Sequence, residues 1–183
     1  MRKKITATEW MEKDKLLKAL SVLVIGLALG FLLNFSQSGT VGDDTDWRNV
    51  SLQDVTTGES FTVSGLEKPV LVETFAVWCP TCTRQQEEIK KLHEKKGISS
   101  VSLDVDPNEE ASKVQNHVQM NNFTWRYSIA SSGLTRKLVQ RYGSSMANPP
   151  STPVVLVCEN GSRKLSDGVK TAEKLEQEIE KGC

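Results

Sequence analysis

Two cysteines, Cys79 and Cys82, stand where an apolar run gives way to a helix-forming one. The apolar run, Pro69 to Val77, is rich in β-branched and aromatic residues and reads as a buried strand. From Thr83 to Leu92 the composition is helix-forming, with Ile89 and Leu92 spaced for one face. Pro80 then falls at the first helical position, where its missing N–H costs nothing. Cys79 is thereby placed at a helix N-terminus, whose unpaired N–H groups and dipole favour the thiolate, the form that attacks disulfides. Cys82, one helical turn on, can close a disulfide with Cys79 or resolve a mixed disulfide.

Other side chains near this pair have a chemical reading too. Glu73 lies in the apolar strand, and a carboxyl desolvated there has a raised pKa and can take the proton of Cys82 when that thiol attacks. Turned outward by strand alternation it would instead be an ordinary surface glutamate. Trp78 either shields the disulfide and offers an apolar contact to a partner chain or packs into the core. A C-x-x-C pair is also half of a zinc site, but zinc needs four ligands and no second pair follows; His93 and His117 stand apart. We therefore expect no metal and no other cofactor, the dithiol being the redox centre. Cys158 ends an apolar strand and Cys183 is the last residue; in an oxidising compartment they could pair, or Cys183 could link two chains, but the reading favoured is no bond, because the sequence sets no distance between them.

The elements that must hold these groups follow from periodicity. Trp47 to Val63 alternates around Thr57-Gly58 and reads as a hairpin laid against the main sheet. After the active-site helix, Gly97 is a stop signal and Ile98 to Asp106 reads as a strand ended by Pro107. Glu109 to Met120 reads as a helix burying Val114, Val118 and Ala111, then Phe123 to Ile129 as a short strand. Gly133 to Tyr142 reads as another helix, with Leu134, Leu138 and Val139 inward and Gly143 as terminator. Asn148 to Pro153, with three prolines, reads as loop. Val154 to Cys158 is the most apolar strand, Asn160-Gly161 a hairpin turn, Ser162 to Leu165 an edge strand and Thr171 to Lys181 the last helix.

The string Leu71 to Cys82 resembles the strand and active site of thioredoxin-fold oxidoreductases, and Ser151-Thr152-Pro153-Val154-Val155-Leu156-Val157 is similar to their second landmark, a cis-proline entering a strand. The resemblance spans roughly Trp47 to Gly182 and is nearest to membrane-tethered TlpA/ResA-like proteins, whose added strand and helix Val114 to Tyr142 could supply. It implies an α/β, thioredoxin-like fold: a central mixed β-sheet flanked by helices. It also implies that Pro153 is cis and presents the backbone of Thr152 to an incoming polypeptide. Glu73 matches the buried acid of thioredoxins, while Ser102 stands where they place the lysine partner of that acid.

Upstream, Ala19 to Phe35 is a run of 17 residues without a charge, at the short limit for a membrane span. Six basic residues precede it, from Arg2 to Lys18, and Asp43, Asp44 and Asp46 follow. The positive-inside rule then puts the N-terminus in the cytoplasm and the domain outside. The expected organisation is a cytoplasmic basic leader (1–18), a transmembrane signal anchor (19–35), a linker (36–46) and a thioredoxin-like domain (47–183); a cleaved signal peptide would leave the domain on the same side. Beyond residue 18 there are 17 basic and 20 acidic groups, with no basic stripe for nucleic acid.

The function expected is a membrane-anchored, extracytoplasmic thiol:disulfide oxidoreductase exchanging electrons with exported proteins. Its layout and Glu73 lean toward a reductant, for which the resemblance implies an integral membrane thiol carrier as electron source and targets such as apocytochrome c. A DsbA-like oxidant is the alternative, since a proline directly after the first cysteine occurs there too. A non-redox polypeptide-binding module and a peroxidase of the same fold are further readings; the Trp78-Cys79-x-x-Cys82 pattern speaks against the peroxidase.

Overall fold

The computed structural model describes residues 46–183. The leader, the apolar segment 19–35 and the linker up to residue 45 lie outside the described residues. Among the described residues no helix is long and apolar enough to cross a membrane.

A five-stranded mixed sheet carries the domain, built from β3 (Val70–Phe75), β4 (Ser99–Asp104), β5 (Arg126–Ile129), β6 (Val154–Cys158) and β7 (Gly161–Lys164), in the order β5-β4-β3-β6-β7. The first three are parallel; β6 pairs antiparallel with β3, and β7 antiparallel with β6. Upstream, β1 (Leu52–Gln53) and β2 (Ser60–Phe61) form the hairpin, tied to the main sheet by the bond from Val55 N to Tyr127 O, 2.9 Å. Four helices complete the domain: α1 (Pro80–Lys95), α2 (Ala111–Asn121), α3 (Ser132–Tyr142) and α4 (Ala172–Gly182).

Strand alternation splits the core in two. Leu71 and Phe75 face a cluster that includes Ile89, Leu92, Val118 and Leu175, hence α1, α2 and α4. Val70 and Val72 face the other, with Leu134, Leu138, Met146 and Trp47. All of β3 is buried, as expected of a strand covered on both faces. Parity therefore sends Glu73 to the same side as Leu71 and Phe75, beneath α1.

Three expectations need correction. Ala111 is exposed, and the buried face of α2 carries His117 instead, bonded through Nε2 to Gln86 of α1 at 2.6 Å. The segment Asn148 to Pro153 is not plain loop: Ser144–Ala147 and Pro149–Ser151 are 3₁₀ turns, the second opened by Pro149, whose fixed φ suits a first helical position. Cys158 and Cys183 are bonded, because α4 runs back along the sheet and brings its last residue to the end of β6, with 5.3 Å between the Cα atoms.

That bond closes a 25-residue separation and ties the C-terminal helix to the sheet. Loop-closure entropy for such a span amounts to roughly 3.5 kcal/mol. Cys183→Ser should therefore lower the unfolding midpoint in denaturant titrations under non-reducing conditions while leaving the Cys79–Cys82 pair intact. An unchanged midpoint would show that the helix is held by packing alone.

Candidate active site

Cys79 is the N-cap of α1 and Pro80 its first residue. In this place Cys79 Sγ accepts the N–H of Cys82 at 3.1 Å, which directs the sulfur at the helix terminus. Cys79 and Cys82 form a disulfide with Cα atoms 5.3 Å apart. Both are buried. The Thr81 hydroxyl lies 3.2 Å from Cys79 Sγ and 3.4 Å from the carbonyl of Pro150, and Cys82 Sγ lies 3.1 Å from the carbonyl of Pro149. The 3₁₀ turn Pro149–Ser151 thus closes over the start of α1.

Trp78 is 54% exposed, so it is not a core aromatic. Its indole N–H donates to Asp106 Oδ2 at 2.6 Å, and the neighbouring Val77 N–H donates to Glu109 Oε2 at 2.6 Å. Asp106 N–H in turn donates to Asp104 Oδ1 at 2.9 Å. These three acids come from the end of β4 and the loop after it. Parallel neighbours end on the same side of a sheet, so the acid-rich string from Asp104 to Glu109 meets the site at the end of β3; that crossing was the signal available in sequence.

Glu73 is 2% exposed in the central strand, not turned to solvent. Ser102, its register partner in β4, donates Oγ–H to Glu73 Oε1 at 2.5 Å and receives the indole N–H of Trp125 at 2.8 Å. Gln86 faces the acid from α1, four residues beyond Cys82 and hence on the same helix face. Burial raises the Glu73 carboxyl to about 7, with the Ser102 hydroxyl, Gln86 and the charge of Lys170 opposing that rise. Lys170, overlooked in the sequence, lies in the segment before α4 and is buried, its ammonium on the carbonyls of Thr152, Ser166 and Gly168.

The second landmark departs from expectation. The Thr152–Pro153 bond is trans; the cis bond among the described residues is Lys68–Pro69. Thr152 takes the left-handed conformation, φ 45° and ψ 53°, and that reversal delivers the chain into β6 without a cis peptide. Nor is its backbone free for a partner: its N–H donates to Pro149 O at 2.8 Å, and its carbonyl accepts from Lys170 Nζ at 2.7 Å. Thr152 and Pro153 are buried, and Pro153 O accepts from Thr74 N at 3.3 Å. They therefore brace the site against β3.

The Redoxin family model matches residues 40–174. Among solved structures, a secreted Mycobacterium tuberculosis disulfide oxidoreductase homologous to E. coli DsbE is similar, with TM-score 0.59 and 13% identity over 74% of this chain and 97% of that one. A thioredoxin-family thiol:disulfide interchange protein from Chlorobium tepidum gives 0.58 and 20% over 72% and 91%. A SCO1/SenC family lipoprotein from Bacillus anthracis gives 0.54 and 17% over 72% and 91%. At these identities the likeness is one of fold, which is thioredoxin-like. No curated protein matches the chain by sequence.

Two buried carboxyls make stability depend on pH. Glu73 rises from 4.5 to about 7 and Asp104 from 3.8 to about 7, for Asp104 chiefly through burial, opposed by the hydrogen bond from the Asp106 N–H and aided by the charges of Glu109 and Asp106. Both stay protonated in the folded chain where the unfolded chain ionises, so their contribution is full below about pH 4 and is lost as pH rises to about 7. The slope is at most about 1.4 kcal/mol per pH unit for each group. In urea unfolding of the disulfide form across that window, Glu73→Gln and Asp104→Asn should each flatten the decline. A decline left intact in both variants would contradict the burial of these acids.

Proposed function

Because the chain belongs to the Redoxin family and is an oxidoreductase of thioredoxin-like fold, we propose that it is a membrane-anchored, extracytoplasmic reductant of TlpA/ResA-like type, acting on disulfides of exported proteins through Cys79 and Cys82. The observation that carries the reading is the Cys79–Cys82 disulfide capping α1 above a buried acid. In the forward direction the Cys79 thiolate attacks a partner's disulfide, releasing one partner thiolate and forming a mixed disulfide. Cys82 then attacks Cys79 Sγ, its proton passes to Glu73, and the second partner thiolate leaves. The partner gains two electrons and the chain is left as the disulfide seen here.

Trp78, exposed beside the disulfide, offers the apolar contact for a partner. With both sulfurs buried, exchange requires a local shift of Val77–Pro80 or of Pro149–Ser151. The extracytoplasmic reading draws support from the second disulfide, Cys158–Cys183, since such bonds persist in oxidising compartments. The secreted and lipoprotein character of two similar structures agrees with it. The uncharged run 19–35, with its basic leader, supports the anchor, and an integral membrane thiol carrier would then return the chain to the dithiol. Apocytochrome c is an example of the exported targets this reading includes.

Equilibration of the full chain in dithiothreitol buffers tests the direction. A potential near about −270 mV is expected for a reductant, whereas one near about −120 mV would make the chain a disulfide-forming oxidant. Cys82→Ser should trap mixed disulfides with exported proteins through Cys79. Loss of all disulfide exchange should follow Cys79→Ser, and exchange that survives it would remove the redox reading.

A further inference from the structure

A disulfide with both sulfurs buried must be uncovered before a thiol can attack it, and two segments flank Cys79–Cys82. The turn Pro149–Ser151 is the firmer one. Its two prolines have fixed φ angles, Ser151 N–H donates to Asn148 O at 3.0 Å, Thr152 N–H to Pro149 O at 2.8 Å, and Ser151 O accepts Gly168 N–H at 2.9 Å. Moving it breaks backbone hydrogen bonds within the turn and to the segment before α4. Val77 and Trp78 are held differently. Cys79 N–H donates to Ala76 O at 3.1 Å and closes their own turn, and among the described residues the hydrogen bonds that tie the pair to another segment end on two carboxylates. Side-chain partners of this kind can let go without unfolding a strand.

Each carboxylate is aimed by its own surroundings. Val105 N–H donates to Phe75 O at 3.0 Å, which keeps the segment after β4 level with the end of β3. On Asp106, Oδ1 accepts Asn108 N–H at 2.9 Å and Asn108 Nδ2 at 3.0 Å, so Oδ2 is left for the indole N–H of Trp78 at 2.6 Å. Glu109 is 5% exposed; its Oε1 is paired with Lys113 Nζ at 2.6 Å, in the first turn of α2, and its Oε2 accepts Val77 N–H at 2.6 Å. Val77 packs against the buried cluster that contains Cys79 and Cys82.

We propose that Asp106 and Glu109 are positioning residues that latch Val77–Trp78 against the disulfide, and that release of their hydrogen bonds is the step that admits an outside thiol to Cys79. The moving part is then Val77–Trp78, and the segment after β4 controls it. A partner that takes hold of the exposed Trp78 ring pulls on the indole end of the latch, so docking and opening are coupled at one residue. The inference rests on thiol exchange at Cys79 and Cys82, as proposed above.

The test is reduction of the oxidised full chain in detergent by dithiothreitol at fixed pH. One dithiothreitol thiolate attacks Cys79 Sγ and expels Cys82 as a thiolate, which takes up a proton. The second dithiothreitol thiol then attacks the mixed disulfide, frees Cys79 and leaves as the cyclic disulfide, so two electrons pass to the chain. Acid quenching, alkylation and peptide mass spectrometry count reduction at Cys79–Cys82 apart from Cys158–Cys183. Asp106→Ala, and Trp78→Phe, which keeps a ring but no N–H, should each speed reduction of Cys79–Cys82 about tenfold, the worth of one hydrogen bond to a charged group. Because both remove the same bond, the double variant should be no faster than either. Glu109→Ala should add a further gain of similar size, whereas Glu109→Gln, which keeps an acceptor for the Val77 N–H, should stay near wild type. These gains should be insensitive to low urea, as a local opening requires, with the Cys158–Cys183 rate unmoved. Unchanged rates in Asp106→Ala and Trp78→Phe, additive gains in their double variant, or an acceleration that climbs with urea at both disulfides would overturn the inference while leaving the redox reading intact. A Cys79–Cys82 bond that dithiothreitol reduces only under unfolding conditions, in wild type and every variant, would overturn both. Should Glu109→Ala fail to fold, the cycle of Asp106→Ala and Trp78→Phe decides by itself.

Discussion

A carboxyl that cannot reach water sits in the middle strand of the sheet, directly below the helix that carries the disulfide. An isolated ionised group in such a place is costly, and the usual escape is to stay protonated. Around Glu73 the chain offers a hydroxyl from β4, an amide from α1 and an ammonium from the segment before α4. The result is an acid drawn up only to about 7, where both protonation states are accessible near neutrality. Strand order, the path of the chain after β7 and the close approach of α1 to Lys170 through Gln85 all converge on this one group.

The disulfide is held by a second, separate constraint. Cys79 is both redox atom and helix cap, so the geometry that starts α1 also aims the sulfur. From one side Asp106 and Glu109 grip Trp78 and Val77; from the other the turn Pro149–Ser151 lies against Thr81 and Cys82. Thr152 links the two constraints, since its N–H closes that turn and its carbonyl holds Lys170. The Thr152 N–H and carbonyl, which the family resemblance implied would meet an incoming polypeptide, are engaged within the chain instead.

The C-terminal disulfide has a different character. It lies at the far end of α4 from Lys170, partly buried at Cys158 and exposed at Cys183, and it fastens that helix to the sheet. One bond caps a helix above a buried acid; the other fastens a helix end to the sheet.

The local chemistry is legible in the sequence alone. The buried run ending at Val77, the proline one place after Cys79 and the helical spacing of Ile89 and Leu92 determined strand, cap and helix, because each depends on neighbours in the chain. Glu73 was legible for the same reason: an acid inside an apolar strand points to a buried task. Ala111 misled, because a small residue at the edge of a helical stripe fits either face. The trans bond at Pro153, the pairing of Cys158 with Cys183 and the burial of Lys170 against Thr152 and Gln85 were decided by tertiary structure alone. The last two join residues far apart in sequence, and no spacing along the chain encodes that the carbonyl of Thr152 and the amide of Gln85 would meet the same lysine.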